Sequence, residues 1–128
     1  MSAMSNYLEL EVLDHVLSVG AYSMPADIYL GLSVASMAED ASGTELSGSA
    51  YARQAITFAA ASGGSSASNA TVTFPTATGS WGTVAYGSIW DAASSGNMML
   101  HGAFAAGKAI GTGDVLRVNS GDITVTAA

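Results

Sequence analysis

The stretch FPTATGSWGTVAYGSIWDAASSGNMMLHGAF, residues Phe74 to Phe104, decides the fold. It holds both tryptophans of the chain, and its apolar residues alternate with small or polar ones between turn-forming residues. Alternation at a period of two buries one face of a strand and leaves the other outside. "GTVAYGSIWDA" and "NMMLHGAFA" therefore read as strands, and "TATGS" and "ASSGN" as the turns around them. The stretch is rich in packing side chains and poor in reactive ones.

The same pattern continues outward. "ADIYLGLSVA", "YARQAITF" and "ATVTF" precede the stretch, and "DVLRV" and "DITVTA" follow it. Between them lie "ASGTELSGS", "AASGGSSASN", "GTG" and "NSGD", all turn chemistry. Pro25 suits the entrance of the first of these strands. "AAASGGSSASNA" reads by composition as a flexible loop. Short strands at this spacing predict a mainly β fold, an antiparallel β-sandwich or jelly-roll-like barrel. Too few helical segments remain for a parallel α/β sheet.

One helix precedes the strands. In "SNYLELEVLDHVLSVG", Asn6 is placed to cap, Glu9 follows in the capping-box position, and Gly20 offers a left-handed stop. At 100° per residue, Leu8, Leu10, Val12, Leu13, Val16, Leu17 and Val19 spread over a broad apolar arc. Glu11, Asp14, His15 and Ser18 share the other side. The expected organisation is a helical segment over 1–20 and a β-sandwich over 21–128, one globular domain in all. The segment has no basic residue ahead of its apolar run, so neither a signal peptide nor a membrane span is expected.

Composition excludes several function classes. The 128 residues carry ten carboxylates against Arg53, Lys108 and Arg117, a net charge of −7. Phosphate-backbone binding needs clustered cations, and these are dispersed, so no nucleic-acid partner is expected. Without cysteine there is no disulfide, thiolate nucleophile or Cys-based zinc site. His15 sits beside Asp14, but helical neighbours point about 100° apart and make no dyad. His101 lies among apolar residues and reads as a packed or surface histidine. "EDASGTE", residues 39–45, gathers Glu39, Asp40 and Glu45 without the spacing of an EF-hand loop, and reads as a solvated acidic loop. No serine stands in a G-x-S-x-G elbow, and no phosphate-binding glycine loop occurs. The expectation is a non-enzymatic protein with no cofactor and no metal.

Phe74, Trp81, Tyr86, Trp90 and Phe104 read as core for the most part, because strands that alternate must bury one face. A carbohydrate-stacking platform is the other reading of the same rings.

Five segments, "SNYLELEVLDH", "YLGLS", "GSAYARQAI", "FPTATGSWGTV" and "IWDAASSGNMMLHGAF", stand in one order that resembles a family of small tailed-phage structural proteins, phage tail fibre proteins. The resemblance runs from about Asn6 to the last strand. Trp90 departs from it where a phenylalanine is common, and the loop at 39–45 lacks prolines often found there. The resemblance implies a virion structural role. Because nothing here builds a fibrous shaft, the leading expectation is a capsid decoration or cement protein on the outer capsid surface, a homotrimer bridging copies of the major capsid protein. The alternative is a tail-fibre or tail-tip module that contacts a host receptor. Leu8, Val12, Leu13, Val16 and Leu17 of the helix, with Glu39, Asp40 and Glu45 of the loop, are the expected attachment and oligomer residues.

Overall fold

A computed structural model describes residues 3–127. The chain is mainly β with a single helix, α1, at Asn6–Val16. Ahead of it lies β1 (Ala3–Met4), and after it come β2 (Ile28–Ser33), β3 (Gln54–Ile56), β4 (Ser65–Ala67), β5 (Val72–Thr73), β6 (Gly82–Trp90), β7 (Met98–Ile110), β8 (Arg117–Val118) and β9 (Thr124–Thr126). A five-stranded antiparallel sheet runs in the order β1-β7-β6-β2-β3, and two small sheets, β4-β9 and β5-β8, accompany it. This is the sandwich that the alternation predicts.

One core joins the layers. Leu30, Leu32, Val84, Ile89 and Ile110 of the large sheet meet Val118 of β8 and Phe74, Leu116 and Ile123, which flank the short strands. Tyr51, Phe74 and Trp81 form an aromatic triad inside it. Trp81 stands edge-on to Tyr51 at 5.6 Å and to Phe74 at 6.4 Å, and Tyr51 stacks on Phe74 at 6.2 Å. The Trp81 indole N–H is satisfied by the Ser49 carbonyl at 3.0 Å.

Register explains the longest hairpin. Tyr29↔Trp90 through Ser33↔Tyr86 pair without a break, but β6 and β7 do not. Between Val84↔Lys108 and Tyr86↔Ala103, the single residue Ala85 stands opposite Phe104 to Gly107. At Gly107 the missing side chain leaves room in this bulge for the Thr83 side chain. A Cβ there would lie 2.9 Å from Thr83 Cγ2. Past the bulge, Lys108, Ala109 and Ile110 rejoin the ladder, so β7 runs beyond the expected end at Ala105.

Other boundaries also differ from the sequence reading. The N-cap is Ser5, not Asn6: its side chain accepts from Leu8 N at 3.2 Å, and its hydroxyl donates to the Met98 carbonyl. Its own N–H donates to Met99 O at 2.9 Å, so one buried serine both starts the helix and ties it to β7. The left-handed residue after the helix is Ser18 (φ 62°) rather than Gly20, with Val19 N and Gly20 N both donating to Asp14 O. The stretch expected as a flexible loop contains β4, which pairs with β9 through Ser65↔Thr126, Ser66↔Val125 and Ala67↔Thr124.

Candidate interaction surfaces

Three places carry the polar and exposed features of the molecule: a buried ionic knot, the outer face of α1 and a groove beside β7.

The knot sits on the β2–β6 face opposite the main core. Gly31 and Ser88 pair across these strands, with Trp90 beside them. The absence of a side chain at Gly31 leaves room for the Glu45 carboxylate and the Trp90 indole. A Cβ there would come within 2.9 Å of Glu45 Oε2 and 3.0 Å of Trp90 Nε1. Arg53 grips Glu45 with two donors, Nη2 to Oε1 at 2.7 Å and Nε to Oε2 at 2.9 Å. Its Nη1 donates to the carbonyls of Ala92 at 2.9 Å and Ser95 at 2.8 Å, and its guanidinium lies 3.8 Å from the centre of the Trp90 ring. The Trp90 N–H is taken by Ser88 Oγ at 2.8 Å. Tyr51 completes the knot by donating its hydroxyl to Glu45 Oε2 at 2.5 Å while accepting from Leu32 N at 2.9 Å. Burial, with the Glu45 carboxylate beside it, pushes the Tyr51 phenol well above its ordinary range. The arrangement ties the 42–48 and 91–97 loops to the sheet.

The expected site residues therefore separate. Phe74, Trp81 and Trp90 are buried, whereas Tyr86 and Phe104 are half-buried. Trp90 packs with Met37 and Met98 in a cluster of its own rather than in the main core. The loop acids do not act together. Glu45 turns inward and engages Arg53 in an ion pair. Asp40 accepts from Ser42 N at 2.9 Å, and hydrogen bonding from the Ser42 hydroxyl first, then from its backbone N–H, holds the Asp40 pKa down. Glu39 is exposed, and its carbonyl accepts from Asn6 N. Sequence proximity suggested an acidic patch; the partner eight residues on, Arg53, was the signal that spacing alone does not reveal.

The helix presents its apolar arc to the outside. No residue of α1 is buried, and the side that rests on the body carries Tyr7, Leu8 and Glu11. Leu10 is 64% exposed, Leu13 54%, Val16 68% and Leu17 66%, and Glu9 and Asp14 lie among them. Val12 is at the margin of the same face, while Leu8 packs inward. His15 Nδ1 accepts from Tyr22 N at 3.1 Å. No helix is long and apolar enough to cross a membrane among the described residues.

The groove, about 650 Å³, lies where the β7 bulge opens the sheet. Val84, Leu116, Val118 and Ile123 floor it; Phe104, Lys108 and Arg117 are among its walls. No group of acidic or histidine side chains that could hold a metal occurs among the described residues.

This small sandwich, with its acidic charge and outward-facing helix, matches a family profile over residues 3–126, described as Podophage GP4 fiber I protein gp80. The chain belongs to that family. It is thus a phage virion structural protein of the fibre type, as the five ordered segments imply. A comparison with individually curated proteins finds no match.

Proposed function

We propose that the chain is a non-enzymatic module of a phage tail fibre, acting as a trimer whose exposed surface contacts the host. Membership in a fibre family carries this reading and favours it over the capsid-decoration expectation with the major capsid protein as partner. The buried polar groups support a passive role: Glu45, Arg53, Tyr51 and Trp90 are satisfied by one another and by backbone, which rigidifies the module. Contacts that are weak in a single copy can hold by repetition, because each attached copy raises the effective concentration of the next. A rigid body with an exposed apolar helix for assembly fits that use. The test is to disrupt purified virions, separate heads from tails, and count copies of the chain against the major capsid protein by quantitative mass spectrometry. A few copies travelling with tails is the expected result. Hundreds of copies on tail-free heads would replace this reading with the capsid one.

A further inference from the structure

We infer that α1 of one copy docks in the β7 groove of a second copy, with Glu9 and Asp14 meeting Lys108 and Arg117. The inference deepens the trimer of the proposed function by naming the two surfaces that join.

Charge selects the occupant. The chain has three cations, and Arg53 is consumed by Glu45 in the only ion pair among the described residues. The other two, Lys108 and Arg117, are exposed, and both line the one groove. Asp122 also lines it, its Oδ2 accepting from Asn119 N at 3.0 Å within its own turn, so two cations stand against one carboxylate there. The groove is therefore a positive, apolar-floored patch on a chain of net charge −7. The complementary surface would be apolar and acidic, and α1 is that surface: Leu10, Leu13, Val16 and Leu17 stand exposed around Glu9 and Asp14.

The same charges argue against α1 pairing with itself. Leu10, Leu13 and Leu17 follow the spacing of a coiled-coil seam, which puts Glu9 and Asp14 on its two flanks. In a parallel bundle those flanks face each other, so carboxylate would meet carboxylate. Docking on Lys108 and Arg117 removes that repulsion. Helix and groove are different surfaces, so the contact is head-to-tail, and such contacts form closed rings when the rotation permits.

The experiment uses the full chain in sedimentation velocity over a concentration series, with circular dichroism confirming that each variant folds. Glu9→Lys/Asp14→Lys and Lys108→Glu/Arg117→Glu should each raise the dissociation constant about tenfold or more. Mixing the two variants should restore association, because the reversed helix meets the reversed groove. A wild-type chain that stays monomeric at every concentration would overturn the inference. So would an unchanged constant in the groove variant alongside loss in Leu13→Asp, which would point to helix–helix pairing. None of these outcomes depends on where the protein sits in the virion, so they leave the fibre reading to its own test.

Discussion

Arg53→Met tests whether the ionic knot is structural. The substitution keeps most of the aliphatic length over Trp90 but removes three hydrogen bonds to Glu45, two to the turn carbonyls and the charge above the indole. Breaking a buried ion pair from one side costs about 3–5 kcal/mol, because the other charge stays behind. The Arg53 side chain is 7% exposed and that of Glu45 20%, so water can relieve part of the penalty at the carboxylate. Tyr51 still donates to it. The lower end, about 3 kcal/mol, is therefore expected. Glu45→Gln should cost less, since its amide oxygen can keep the Tyr51 hydroxyl and Arg53 retains the turn carbonyls. The double variant should cost less than the two singles together, the mark of a direct contact. Urea unfolding followed by tryptophan fluorescence supplies the midpoints, and the slope shows whether the unfolded state has changed. An Arg53→Met cost below about 1 kcal/mol is the range of exposed pairs, and would refute the knot as a stabilising element.

Further outcomes follow from the same geometry. Gly31→Ala should destabilise by about 1–3 kcal/mol, as its Cβ would press on a carboxylate that Arg53 holds in place, measured by thermal melting. Trp81→Ala should cost about 3–5 kcal/mol; an unchanged melting temperature with lost glycan binding would make that ring a binding platform instead. Alkaline titration should expose Tyr51. Its folded pKa lies above the unfolded value of 10.0, so its contribution is intact below pH 10 and declines as pH rises past that point. Tyr51→Phe should flatten that part of the stability profile, and an identical alkaline slope in both proteins would contradict the buried phenol.

The fold was legible where one face of a strand is buried. "YLGLS" alternates large and small, and its Leu30 and Leu32 both reach the core, whereas in "GTVAYGSIW" the bulge after Val84 brings Val84 and Ile89, five residues apart, to the same core. It was illegible where a distant partner makes the decision. Ser5 rather than Asn6 caps the helix because the carbonyls of Met98 and Met99 stand beside it, which no local spacing encodes. β4 forms from a serine- and glycine-rich run because β9 offers it a ladder, overriding composition. The continuation of β7 was hidden by "AFAAGK", whose small residues look like a turn and instead permit a bulge. Of the surfaces, the apolar arc of the helix was readable, whereas the groove needs Lys108 and Arg117 brought together from separate strands.

The helix itself shows what association has to supply. An isolated helix shorter than about 12–15 residues is marginal in water, and α1 has 11 residues with none buried. Ser5 at one end, and Tyr7 and Leu8 against the core, hold it on the body. Covering Leu10, Leu13, Val16 and Leu17 would contribute on the order of 5–8 kcal/mol, given that each is only a half to two-thirds exposed. Joining two copies costs about 4–15 kcal/mol in lost freedom. The ion pairs at the rim add about 0.2–1 kcal/mol each. A single helix-in-groove contact is therefore weak by itself. In a closed ring every copy gives one helix and receives another, so the last contact forms without a further loss of translational freedom. In the proposed ring, closure rather than the strength of any one contact would make the open apolar helix a workable assembly element.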